Sequence, residues 1–246
     1  MKFYLRKGKN EKKINEIALV TLGYLILTFI FTYPLFLNLS DSLAPVIRGD
    51  YAQNLWNFWW VKKALINEHT NPYFTNYLFS PVGTSLAFHS LTLYNSLLAI
   101  PLQFFFDLLT VYNILIIHCF ILSGIGTYLL AEYLTNDKLT AFVAGIIFSF
   151  CPYHTFRLDQ IASFSIQWIP FFILYFFKLM DKTKKKYAFL CALFFTLTSI
   201  CHWYYGIFLI FLVYFHFYFT YSLEKIMFYN LILLKFFFYL LFYQLL

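Results

Sequence analysis

Long unbroken apolar runs limit what this chain can fold into. Stretches 17–39, 112–134, 164–180, 206–221 and 226–246 come close to or exceed the roughly 20 residues that cross a bilayer as a helix. In lipid every backbone N–H and C=O must be paired, which leaves only helices and closed barrels. A barrel strand alternates over about ten residues, whereas these runs are continuous. The chain is 61% hydrophobic and 12% charged, against about 25% charged for a soluble domain. The expected class is all-α: a polytopic transmembrane helix bundle of about 7–8 spans.

Charge orients the spans. Residues 1–16 form a basic amino-terminal tail, expected in the cytoplasm, and 17–246 form the transmembrane domain. The run 17–39 is too long for a signal-peptide core and has no small-residue cleavage site, so it is read as a retained span. Lys184, Lys185 and Lys186 follow the 164–180 run and belong on the same side as the tail. The count works if 91–106, short and interrupted by Pro101, only dips into the surface. Then 112–134 runs inward, 138–150 outward, 164–180 inward, 187–200 outward, 206–221 inward and 226–246 outward. The first loop, 40–89, and the breaks 151–162 and 202–205 then share the external face. A cell-membrane, multi-pass location follows. The net charge of +7 is spent on sidedness, so nucleic acid is not an expected partner and membrane lipids are.

The first external loop carries the densest polar signal. Read as an interfacial helix over 50–66, it places Asp50, Gln53, Asn54 and Asn57 on one stripe. Ala52, Leu55, Trp56 and Trp59 make the opposite stripe. Tryptophan favours the membrane–water boundary, so the expectation is aromatic side down and carboxylate side up. Asp50 followed by Gln53 also reads as a helix cap. The four cysteines lie in or beside apolar runs without metal spacing. No cofactor is expected; a divalent metal is left open at Asp159.

Pro34, Gly49-Asp50, Leu55-Trp56, Trp59-Trp60 and Ser80-Pro81-Val82-Gly83 resemble the amino-terminal part of large microbial membrane proteins that are similar to the GT-C superfamily of glycosyltransferases. Tyr112-Asn113, Ser123-Gly124, Ala141 with Ala144-Gly145, and Trp168-Ile169-Pro170 extend the resemblance over about residues 17–205. Members of that kind are usually longer, so the chain is expected to correspond to an amino-terminal portion. The resemblance implies transfer of a sugar from a polyprenyl-phosphate carrier to an acceptor on the external membrane face. It implies an acidic residue of the first external loop as, or near, the catalytic base, and Asp50 stands at that place.

The chemistry fits those residue types. A base must take the acceptor's hydroxyl proton, and a surface carboxylate flanked by amides suits that step. Arg48, Arg157 and His154 are candidates for the lipid-linked phosphate, because an arginine fork bonds phosphate bidentately. A lipid-headgroup contact is the plainer role for the arginines. Asp159 with Gln160 offers a second acidic position, for metal or acceptor, or else a helix cap. His89 and His202 would bond phosphate or sugar, or anchor span ends. Gln53, Asn54 and Asn57 would complete substrate binding.

Two other functions stay open. One is a non-catalytic scaffold, partner subunit or inactive fragment. The other is a lipid or solute transporter, which would usually line its path with buried charges and show an internal repeat. Among the apolar runs His118 is the main buried ionisable group, and no repeat of the 17–110 pattern is evident.

Overall fold

The computed structural model describes residues 2–41 and 50–223, with side chains described for 13–41 and 50–220. Helix takes up 74% of the residues and strand 2%, as continuous apolar runs require. The helices are α1 (Lys2–Phe31), α2 (Asp50–Lys62), α3 (Leu93–Leu102), α4 (Leu108–Thr135), α5 (Lys138–Ser149), the single turns α6 (Pro152–Thr155) and α7 (Ile161–Phe164), α8 (Trp168–Asp181), α9 (Lys185–Cys201) and α10 (Trp203–Leu223). A π turn, Lys63–Asn67, continues α2. A small antiparallel hairpin pairs β1 (Phe74–Thr75) with β2 (Thr84–Ser85). The described residues up to Tyr205 form one compact unit, and those from Gly206 a second that carries the rest of α10.

Among the described residues, four helical stretches are long and apolar enough to cross a membrane: Lys13–Phe31, Leu108–Thr135, Ile161–Asp181 and Trp203–Thr220. The count of about 7–8 spans is thus met in part. At 1.5 Å per residue, the 10 residues of α3 reach about 15 Å and the 12 residues of α5 about 18 Å. Both fall short of a hydrocarbon core of about 30 Å. The α9 helix has 17 residues and opens on charged Lys185 and Lys186. The run 226–246 lies outside the described residues.

Local chemistry sets the turns. Asp107 accepts from the Thr110 N–H at 2.9 Å and so caps α4. Asn136 ends α4 in the left-handed conformation, and Asp137 then caps α5 through the Thr140 N–H at 2.8 Å. Two residues therefore turn the chain between α4 and α5. Small residues bring α1 onto this hairpin. The fully buried ring of Tyr24 fills the notch left by Gly124 and Gly145, and its hydroxyl donates to the Phe142 carbonyl at 3.1 Å. Phe194 of α9 stacks on Phe171 and Tyr175 of α8 at 5.0 and 5.5 Å between ring centres.

The bundle has two chemically distinct ends. At one, Glu16 pairs with Lys138 and accepts from Tyr128, while Tyr133 bonds Asp181 and lies under Lys178. At the other, Asn113 donates to the Leu39 carbonyl, Tyr112 to the Leu158 carbonyl, and Asn54 to the Asp159 carbonyl. The second end ties together three polar segments that are far apart in sequence.

The stripes of α2 differ from the sequence expectation. Asp50, Ala52 and Gln53 are exposed, but Asn54 and Asn57 are buried with Phe58, Trp60 and Val61. Phe58 packs near Tyr112 of α4, and Trp60 joins Leu86 and Leu91 in a second apolar cluster. The two asparagines can turn inward because the chain satisfies their amides, whereas an unmatched buried amide would be costly. The helix is docked on its neighbours through a mixed face, with Trp56 and Trp59 half-buried.

Candidate functional site

The α2 helix begins at Asp50, so its carboxylate stands at the helix N-terminus, where the dipole favours negative charge. Asp50 does not spend that carboxylate on the Gln53 N–H, as a capping box would. Its Oδ2 accepts from Gln160 Nε2 at 2.5 Å. Gln160 Oε1 in turn accepts from Arg157 Nη1 at 2.5 Å. The charges at both ends fix the amide's orientation: carbonyl toward the guanidinium, N–H toward the carboxylate. An anion and a cation are thereby linked through one neutral side chain.

Asp50 and Gln160 border a polar cavity of about 220 Å³. Asp50, Gln53 and Asn54 line it from α2, and Ser90 from the end of the first loop. Gln160, Ala162 and Ser163 line it from the segment around α7, and His202 from the α9–α10 junction. Tyr205 Oη donates to the Ser163 carbonyl at 2.5 Å and meets Tyr153 Oη at 3.2 Å, bracing that side. Arg157 lies 5.5 Å from the Tyr153 ring centre. Small-molecule sites usually span about 300–1,000 Å³. This cavity is smaller, the size for the reacting part of a ligand whose remainder lies outside.

His202 is the second titratable group of the cavity. Burial holds its pKa below the usual histidine value, so the ring is neutral at pH 7. Its buried Nδ1 has no hydrogen-bond partner among the described residues. A neutral imidazole with one unmatched nitrogen can bond a ligand hydroxyl or hold a proton in transit.

The other sequence candidates divide by environment. Asn54 lines the cavity and also donates to the Asp50 and Asp159 carbonyls, at 3.0 and 3.2 Å. Asn57 donates to the Ser90 carbonyl at 2.9 Å, and its Oδ1 meets His89 Nε2 at 2.7 Å. That pair pins the end of the first loop to α2; burial lowers the His89 pKa. Asp159 is 6% exposed, outside the cavity lining, with Oδ2 unmatched among the described residues. His154 is fully buried. Its two ring nitrogens meet the Ser149 and Phe164 carbonyls at 2.6 and 2.8 Å, and its ring stacks on Phe164. Burial lowers its pKa despite those two carbonyls. This environment makes His154 a structural clasp, closed to a phosphate. Arg48 lies outside the described residues.

Sequence reading did not assign Ser90 or Ser163 to the site, and it named Gln160 only together with Asp159, as a position for metal or acceptor. Gln160 stood beside Asp159, but its link to Asp50 has no fixed spacing. No group of three or more His, Cys, Asp or Glu side chains suited to a metal ion occurs among the described residues. Compared with known proteins, the chain matches no family model, no curated protein and no solved structure.

Proposed function

We propose that the chain is a membrane glycosyltransferase of the GT-C kind, or the amino-terminal module of one. It would move a sugar from a polyprenyl-phosphate carrier to an acceptor on the external membrane face. The supporting observation is the solvent-facing Asp50 carboxylate, held by Gln160 and Arg157 at a polar cavity that also contains His202. In this reading Asp50 takes the acceptor proton as the new glycosidic bond forms. The carrier phosphate leaves with the bonding electron pair, and Arg157, bonded to Gln160, offsets its charge. His202 hydrogen-bonds the sugar or the acceptor, and Gln53 and Asn54 complete the polar lining.

The membrane arrangement belongs to the same proposal. The end with Lys138, Lys178 and Asp181 would lie in the cytoplasm with the amino terminus, and the Asp50 end outside. The shorter α5 and α9, with the turns that flank them, would add passages to the four long stretches. Asp50→Asn keeps the side-chain shape and removes the base. In membranes carrying the full chain, it should lower transfer from a lipid-linked sugar by about 100-fold or more with unchanged insertion. Unchanged transfer would remove Asp50 from the reaction.

A further inference from the structure

The first loop builds a second cavity, of about 410 Å³, at the other end of α2. It shares no lining residue with the Asp50 cavity. Its floor residue, Trp60, is ten residues beyond Asp50, about 15 Å along the helix. We propose that this cavity binds a neutral saccharide.

Three aromatic side chains and three planar polar groups carry the inference. Trp60 is almost fully buried and fixed by an Nε1–H bond to the Pro72 carbonyl at 2.9 Å. Phe74 and Tyr77 are 48% and 49% exposed, so their rings remain available as walls. Sugar rings present C–H faces, which pack on aromatic rings, and hydroxyls on their edges, which need both donors and acceptors. Glu68, Asn71 and Asn76 supply them. Glu68 Oε1 accepts from Tyr77 Oη at 3.0 Å, leaving Oε2 as an acceptor. Asn71 Oδ1 accepts from the Tyr73 N–H at 2.9 Å, leaving its NH₂ as a donor. The volume falls within the range of small-molecule sites.

Charge selects among ligand classes. An aromatic pocket with a carboxylate would also suit a quaternary ammonium. Here the chain supplies its own cation: Lys63 Nζ lies 4.6 Å from the Tyr77 ring centre and 3.8 Å from Glu68 Oε1. That ammonium offsets the carboxylate and disfavours a second cation. Glu68 disfavours an anion, and the amides disfavour a purely apolar ligand. A neutral polyol with an apolar face satisfies every group. The inference needs no transfer step, so it stands or falls separately from the role of Asp50.

The test is a tryptophan-fluorescence titration of the detergent-solubilised full chain, since Trp60 forms the cavity floor. The probes are neutral oligosaccharides of hexoses and of N-acetylhexosamines, with choline in parallel. A saturable response to at least one saccharide is expected, weakened about tenfold by Glu68→Gln, which removes a charge-assisted bond. Phe74→Ala should abolish it while leaving the thermal unfolding midpoint near that of the parent chain. Tyr77→Phe, which keeps the ring, should weaken binding without abolishing it. A response to choline alone, no response to any saccharide, or equal affinity in the Glu68→Gln and Phe74→Ala variants would overturn the proposal.

Discussion

Gln160 Nε2 donates to Asp50 Oδ2 at 2.5 Å, across a sequence separation of 110. Its carbonyl is held by Arg157, so the carboxylate is oriented by a cation it does not touch. Gln160 is a positioning residue in this account. Gln160→Ala should lower kcat on the order of 100-fold, as expected for a misplaced reacting group, with a smaller change in KM. Gln160→Glu keeps an acceptor for Arg157 but sets a second anion against Asp50, so it should not restore the rate. Steady-state transfer kinetics in vesicles distinguish these outcomes. A KM effect alone would make Gln160 a binding residue.

Acid should weaken the fold through three histidines. Burial lowers the folded-state pKa of His89, His154 and His202 from a reference near 6.5. Between the lowered values and about 6.5, the unfolded chain binds more protons. Stability therefore rises with pH through that window, is fully present above it, and is lost as pH falls through the folded values. Chemical unfolding at pH 7.5 and 5.5 should show the loss. His154→Phe should reduce this pH dependence. It should also cost about 1–3 kcal/mol, by removing the buried ring's bond to the Ser149 carbonyl; the Phe164 carbonyl keeps the Ile166 N–H. Equal stability at the two pH values in the parent chain would contradict the assignment.

The notch for Tyr24 leaves no room for a methyl group. A Cβ at position 145 would lie 2.6 Å from Tyr24 Cζ and 2.8 Å from the Gly124 carbonyl oxygen. Gly145→Ala should destabilise the bundle by about 1–3 kcal/mol, the usual range for overpacking. Val143→Ala, on the exposed side of α5, should shift stability by less than about 0.5 kcal/mol. Thermal unfolding in detergent reads both. Equal effects would mean that α1 does not depend on the notch.

Gly83 has φ +75°, and a Cβ there would lie 2.8 Å from the Thr75 carbonyl oxygen and 2.9 Å from Phe74 Cζ. Gly83→Ala therefore strains both backbone and contacts, at a cost of about 1–2 kcal/mol for the left-handed conformation alone. The predicted result is faster limited proteolysis within 68–89, with the long helices unchanged by circular dichroism. Parent-like proteolysis would show that the β1–β2 hairpin tolerates the side chain.

The helices could be read because their causes are local. Apolar runs mark the four long stretches, and the Asp107 and Asp137 caps sit where short-range rules place them. Charge counting expected Asp50 and His202 on one side of the membrane, and both line one cavity. The bond of Gln160 to Asp50 escaped because an amide 110 residues from its partner leaves no periodic trace. The inward turn of Asn54 and Asn57 escaped because their partners, the Asp159 and Ser90 carbonyls, belong to distant backbone. His154 looked like a phosphate ligand by type, yet burial and two carbonyls give it a structural role. The lengths of α3 and α5 depend on where the chain turns within apolar sequence, which composition alone does not determine.

The central claim is that polar segments around positions 50, 160 and 202 open to one side of the membrane, opposite the lysines after α8. Single cysteines at Gln53, Ser163 and Tyr204, in a chain with Cys151→Ser, can be probed with a membrane-impermeant maleimide. All three should label on intact cells, and a cysteine at Lys184 should label only after permeabilisation. Labelling of Gln53, Ser163 and Tyr204 from opposite sides would contradict the shared cavity and the reaction built on it.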